Sequence, residues 1–196
     1  MDVSVRPATA ERFEDVRAIL GPRRDTQPAC WCLYYRLGSS EFNALQGRQR
    51  PEHLRELCSR EHAPGMLAYL DAEPVGWCAL GPRSEMGRLV RSRTIPKIDD
   101  RPVWSIVCFV VRVGYRRRGV AHALLDGAIA YATECGVETL EAYPAETDGA
   151  RMSSSLAYVG TTSMFEQAGF ACVQRTESRS GGRPRWLMRL DLPPRS

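Results

Sequence analysis

Arg116-Arg117-Arg118-Gly119-Val120-Ala121 stands directly between an apolar run over residues 103–113 and an amphipathic stretch over 120–135. That junction predicts a strand that turns abruptly into a helix through a loop able to hold an anion. The first turn of a helix has backbone N–H groups with no intrahelical partner, and with the positive end of the helix dipole they can bind a pyrophosphate. Gly119 lets a ligand approach the backbone, and the small Ala121 keeps the next turn open. The common nucleotide loops are absent: there is no Gly-x-x-x-x-Gly-Lys-Ser/Thr, and no Gly-x-Gly-x-x-Gly follows a strand. On these six residues alone, a solvated basic run is the competing reading.

Working outward, residues 103–111 read as a central strand buried on both faces. Val120, Ala121, Leu124, Leu125, Ala128, Ile129 and Ala132 recur at helical spacing after it, and Gly136 supplies the stop. Residues 3–7 read as a strand, 11–20 as a helix, and 51–62 as a helix opened by a first-turn proline. Residues 66–70 and 75–80 bracket Asp71-Ala72-Glu73-Pro74 as two antiparallel strands about a turn. Residues 81–101 are polar and irregular, as in a surface loop. Residues 139–143 read as a fifth strand and 161–168 as a short helix. Residues 170–175 and 185–192 pair across Ser180-Gly181-Gly182. The pattern is α/β (α+β), a mixed sheet of six to seven strands flanked by helices.

Val111-Arg112-Val113-Gly114-Tyr115-Arg116-Arg117-Arg118-Gly119 resembles the V-x-P-x-Y-R-x-x-G approach of the GNAT superfamily of N-acetyltransferases, with Val113 in place of the usual proline. Arg116-x-x-Gly119-x-Ala121 satisfies that family's Gln/Arg-x-x-Gly-x-Gly/Ala loop, and Met164-Phe165-Glu166-Gln167-Ala168-Gly169-Phe170 is similar to its late L-Y-E-K-x-G-F. Val3-Ser4-Val5-Arg6-Pro7-Ala8-Thr9 also looks like its first strand, so the resemblance covers most of the chain.

The resemblance implies a GNAT-like sheet splayed at the fourth and fifth strands, with acetyl-CoA as acetyl donor and direct transfer to an amine. It implies that Phe109, Val110, Val111 and Val113 line the pantetheine arm, with the Val111 N–H polarising the thioester. Arg116, Arg117, Arg118, Gly119, Val120 and Ala121 would then hold the pyrophosphate, and Phe165 would contact the cofactor from the late helix. Phe165 stands where many members have a proton-donating tyrosine. Tyr158, one to two helical turns away at the position where the family often has a CoA-contacting asparagine, is the candidate for either that contact or the missing acid, unless the thiolate leaves without one.

An alkylammonium with pKa near about 10.4 must lose a proton before it attacks. Glu141 on the fifth strand is the candidate base, ahead of Glu146, Asp99 and Asp100. Cys30-Trp31-Cys32-Leu33-Tyr34-Tyr35 reads equally as an acceptor wall or as a plug over the sheet, which makes Trp31 and Tyr34 substrate candidates together with Trp104. A zinc set of Cys30, Cys32, Cys58 and His62 is disfavoured by its Cys-x-Cys spacing, so no metal is expected. Cys108 reads as a buried thiol rather than a nucleophile.

At 196 residues and 43% hydrophobic content a single domain over 1–196 is expected. Its seven cysteines, odd in number and scattered, suit reduced thiols and a cytoplasmic setting. No apolar run is long enough to cross a membrane, and a net charge of +4 does not point to nucleic acid. The expected partner is a small amine such as an amino acid, a polyamine or an aminated antibiotic. A protein N-terminus or lysine, a non-enzymatic acyl-CoA-binding module, and a homodimer all stay open.

Overall fold

The computed structural model describes residues 3–22, 29–147 and 157–194. Seven strands form one sheet in the order β1-β2-β3-β4-β5-β7-β6. They are β1 (Val3–Pro7), β2 (Gly65–Leu70), β3 (Glu73–Pro82), β4 (Trp104–Val111), β5 (Thr139–Ala142), β6 (Ala171–Ser180) and β7 (Arg183–Asp191). Every neighbouring pair is antiparallel except β4–β5, which is parallel and joined through a helical crossover.

The helices are α1 (Phe13–Leu20), α2 (Ser39–Ala44), α3 (Gln49–Cys58), α4 (Gly87–Val90), α5 (Val120–Glu134) and α6 (Thr162–Gln167). Two apolar layers cover the sheet. On one face α1, α3 and the 31–37 segment bury Phe13, Val16, Leu33, Leu54 and Trp77. On the other, α5 and α6 bury Val120, Leu124, Leu125, Ala128 and Phe165 against Ile106, Phe109 and Leu140. α5 runs close over β1, where a Cβ on Gly127 would come within 2.5 Å of Val5 Cγ1, so the helix can lie this low only over glycine.

Several boundaries differ from the sequence reading, each for a local reason. The β2–β3 turn is only Asp71-Ala72, both with positive φ (50° and 66°), which is the backbone twist that a two-residue hairpin favours. β3 therefore begins at Glu73, and Pro74 is tolerated inside it because the register shifts there, between Ala68 and Tyr69 of β2. The 81–101 stretch is not one open loop: β3 continues to Pro82, a 3-10 turn follows at Arg83–Glu85, and α4 comes next. α3 starts at Gln49 and ends at Cys58, short of His62. α2 has no counterpart in the sequence reading, since six residues carry too little periodicity to register.

The 31–37 segment packs as a plug. Trp31 and Cys32 both take positive φ (50° and 55°), and Trp31, Cys32, Leu33, Tyr35 and Leu37 are all buried in the core. The Trp77 Nε1–H donates to Cys32 Sγ at 3.1 Å. None of the seven cysteines is in a disulfide. No helix among the described residues is long and apolar enough to cross a membrane.

Candidate active site

The pairing of β4 with β5 is three residues long: Trp104 with Leu140, Ser105 with Glu141, and Ile106 with Ala142. Past that point β4 stays on β3 as far as Val111 opposite Gly76. The chain after β5 bends away, and Ala145 bridges to Arg185 and Thr161 instead. The 3-10 turn Ala157–Val159 packs along β4 beside the opening. The result is a wedge-shaped gap with the outer half of β4 as one wall. Arg112 N–H donates to Val75 O across the β3 edge, so alternation aims the N–H of Val111 at the opposite edge, into the gap. The Val111 carbonyl on that edge accepts from Arg116 Nε at 3.1 Å.

At the end of β4 the loop is tied down by Glu73, which accepts from Arg112 Nη1 at 2.6 Å and from the Tyr115 phenol. Gly114, Arg117 and Gly119 have positive φ (97°, 61° and 77°), and Gly119 caps α5. A Cβ on Gly119 would meet no atom within 4 Å, so glycine is needed there for conformation, and the space above the cap is open. The first bond of the α5 ladder is Ala123 N–H to Gly119 O, which leaves the N–H groups of Val120, Ala121 and His122 ahead of it. Arg116, Arg117 and Arg118 are exposed and pair with no carboxylate among the described residues. Three cations, a helix N-terminus and an open cap make a binding surface for a multiply charged anion.

Of the other residues expected at this site, Val113 is 61% exposed and Ala121 is half-buried. Val110 lies on the plug face of β4 and Phe109 on the α5 face. Phe165 is fully enclosed, edge-on to Phe109 and Phe170 at 6.0 and 5.0 Å. It is a core side chain with no surface to offer a ligand. The Val120 side chain is likewise buried, so only its backbone faces the loop.

Glu141 is 2% exposed. It accepts from Arg189 Nη2 and Nε at 2.7 and 2.9 Å and from Tyr143 Oη at 2.6 Å, with Arg83 Nη1 at 3.4 Å. Arg83 also donates to Tyr143 Oη and Ile95 O, and Ser105 Oγ lies 2.9 Å from Tyr143 Oη. Arg189 binds Asp99 through both terminal nitrogens, and this guanidinium holds the Asp99 carboxyl down at about 2. Two carboxylates and two guanidiniums thus form a neutral hub, and the lone pairs of Glu141 are already taken. Asp100 pairs with Lys97 at the surface. Glu146 is half-buried, and its N–H donates to Pro184 O.

Tyr158 stands on the other side of the gap, half-buried against the plug. Burial raises its phenol well above the ordinary range, and the neighbouring Tyr35, to which it is hydrogen-bonded, adds to the shift. It therefore keeps its proton at neutral pH. Arg185, 3% exposed, donates to Tyr143 O at 2.7 Å, Tyr35 Oη at 2.9 Å and Ser178 Oγ at 3.3 Å. Cys108 lies next to Tyr158 on the same face.

Of the three acceptor candidates, only Tyr34 reaches this region. It is 45% exposed and lies under the Arg88 guanidinium at 4.0 Å. Trp31 stacks on Phe13 in the α1–α3 cleft, and Trp104 packs between His62 and Tyr131 at the far end of β4. Sequence reasoning missed Arg83, Tyr143, Arg185 and Arg189. Tyr143 alone carried a signal, two residues after Glu141 and so on the same face of the strand. The arginines come from distant parts of the chain, and nothing in sequence links them.

The sequence profile of the Acetyltransferase (GNAT) family matches residues 31–152. Compared with curated proteins, the sequence finds no significant match. Among solved structures, the fold is similar to a GNAT-family acetyltransferase of Streptococcus pneumoniae, with TM-score 0.56 and 15% identity over 98% of this chain and 100% of that one. It is similar to a structure from Corynebacterium glutamicum described as histone acetyltransferase HPA2 and related acetyltransferase, with TM-score 0.55 and 23% identity over 99% and 97%. It is also similar to yncA of Salmonella typhimurium, described with its cofactor acetyl-CoA, with TM-score 0.55 and 12% identity over 97% and 94%. At these identities the structural likeness bears on the fold alone.

Proposed function

We propose, on the premise that the chain belongs to the Acetyltransferase (GNAT) family, that it transfers the acetyl group of acetyl-CoA directly to the primary amine of a small molecule. The observation that carries this reading is the β4–β5 divergence, which leaves the Val111 N–H edge open beside an arginine loop that has no carboxylate partner among the described residues. The donor set suits the group. The guanidiniums of Arg116 to Arg118 and the N–H groups of Val120 to His122 match a pyrophosphate, and the space above Gly119 is clear.

Bound acetyl-CoA supplies an electrophilic thioester carbonyl. In this reading the N–H of Val111 donates to the oxygen that gains charge, at a fixed position and without reorganisation. Tyr158, protonated at neutral pH, donates to the departing sulfur. Glu141 holds Arg83, Tyr143 and Arg189 in place behind the wedge instead of taking the proton of the amine. The amine then loses its proton to solvent, so kcat/KM rises with pH toward the amine's own pKa, about 10.4 for an alkylamine.

The test is incubation with isotopically labelled acetyl-CoA, a panel of amines and a desalted bacterial extract, followed by mass spectrometry of the small-molecule and protein fractions. Label on a small amine is the expected result. Label confined to proteins moves the acceptor to a protein amine, and no binding of CoA by calorimetry sinks the reading altogether.

A further inference from the structure

We propose, resting on the acetyltransferase reading above, that the amine acceptor carries an anionic group, a carboxylate or a phospho group, held by the arginines of the cavity beside Tyr158. That open cavity has a volume of about 360 Å³, room for a small metabolite. Four arginines line it, Arg88 and Arg91 at α4, Arg179 on β6 and Arg185 on β7, and no aspartate or glutamate is among the described residues that do. None of the four pairs with a carboxylate among the described residues.

A single buried arginine without a carboxylate is no argument for a ligand. Arg36 is buried too, and it is satisfied by the carbonyls of Pro64 and Leu80. What distinguishes this cavity is convergence. Three separate parts of the chain bring like charges to one concave surface, an arrangement that repels itself until an anion enters. By contrast, the buried Arg83 and the half-buried Arg189 nearby are neutralised by Glu141 and Asp99.

Three of the four groups are already held in place. Arg88 stands over the Tyr34 ring and is fixed by Tyr34 O and Ser39 Oγ at 2.7 and 2.9 Å. Arg185 is held by Tyr143 O, Tyr35 Oη and Ser178 Oγ, so little rotamer freedom remains to be lost on binding. Arg179 is steadied by Gly182 O at 2.6 Å. The Arg91 side chain makes no hydrogen bond to a described residue, and it reaches over Gly38 into the same space.

The anion site is joined to the reacting centre. Arg185 touches Tyr143, the first residue beyond the β4–β5 pairing, and shares Tyr35 with Tyr158. An acceptor anchored by its anion at Arg185 and Arg91 would present a nearby amine to the wedge. This geometry favours compact amino acids and amino-phosphates or amino-phosphonates, and disfavours polyamines, whose cations would enter a cationic cavity.

The experiment measures CoA release with matched amines: amino acids against their methyl amides, and 2-aminoethyl phosphate and 2-aminoethylphosphonate against ethanolamine. Wild type, Arg91→Ala and Arg179→Ala are compared, with acetyl-CoA affinity followed in parallel by calorimetry. The expected result is turnover of anionic members over their neutral counterparts, with KM raised about tenfold to hundredfold by loss of one charge-assisted contact and acetyl-CoA affinity unchanged. Turnover of carboxylates alone or of phospho compounds alone identifies the anion. Equal turnover of neutral counterparts, or unchanged KM in both variants, overturns the inference and leaves the acetyltransferase reading standing. If no member is turned over, phenylglyoxal modification of the wild type is mapped by mass spectrometry with and without inorganic phosphate or acetate. Protection at Arg91 and Arg179 supports the site, and no protection there overturns it. Loss of acetyl-CoA binding in wild type counts against the family reading instead.

Discussion

Replacing Glu141 by glutamine separates an anchoring carboxylate from a catalytic base. The amide oxygen can still accept from Arg189 Nε and Nη2, which now sit on Oε1 at 2.9 and 2.7 Å. The amide NH2 would stand where Oε2 accepts from Tyr143 and faces Arg83 Nη1. Arg189 keeps Asp99, whereas Arg83, 7% exposed, loses its only carboxylate among the described residues. Breaking a buried pair by removing one partner costs about 3–5 kcal/mol. For a chain of this size that lowers Tm by roughly 6–20 °C, at about 2–4 °C per kcal/mol. The assay is calorimetric melting and urea denaturation beside steady-state acetyl transfer over pH 5–10. An anchor predicts a large loss of Tm and midpoint, with a pH–rate profile of unchanged shape in whatever protein stays folded. If Glu141→Gln instead melts like wild type while kcat falls about 100-fold or more and the profile loses an acidic limb, Glu141 is the base and the reasoning is wrong.

Gly119→Ala should lower stability by about 1–2 kcal/mol through its left-handed φ alone, since no atom stands within 4 Å of the new Cβ. It should weaken CoA binding further by intruding on the open cap, and a melt that falls with unchanged CoA affinity would contradict that second effect. Tyr158→Phe should lower kcat by about 10² or more with little change in KM. Because burial raises the Tyr158 pKa, wild-type activity should climb through neutrality without a descending limb below about pH 10, and a descent near pH 8 would exclude this phenol as the acid. The Asp99 pKa is depressed to about 2 by Arg189. Its stabilising contribution is therefore present above the unfolded value of 3.8 and is lost as pH falls through about 2. Asp99→Asn should flatten the acid side of the stability curve between those limits, and an unaltered acid limb would show that the contact is too solvent-screened to matter.

The strand–loop–helix core was legible because each of its signals is local. Residues 103–111 form an apolar run, α5 repeats its buried positions at helical spacing, and Gly119 marks the junction. The late motif around Phe165 was legible as a helix, but its contact was not. Phe165 packs against Phe109 and Phe170, and burial of that kind depends on partners far away in sequence. Glu141 was found as a carboxylate on β5, yet its environment consists of Arg83 and Arg189, one on each side of it in sequence and dozens of residues away. Trp104 was grouped with the acceptor site because it opens the right strand. It lies at the wrong end, since β4 and β5 separate only after Ile106 and Ala142.

The sequence by itself determined the family, most of the strands and the longer helices in their order, and the strand–loop–helix junction at Gly119, because periodicity, turn chemistry and a short glycine-containing motif act over a few residues. Only the tertiary structure decided which charges meet. It paired Glu141 and Asp99 with Arg83 and Arg189, closed the 31–37 segment into a plug, and gathered Arg88, Arg91, Arg179 and Arg185 around one cavity. Coulombic and hydrogen-bond partners are chosen by distance in space. Residues brought together by sheet order carry no mark of that meeting along the chain.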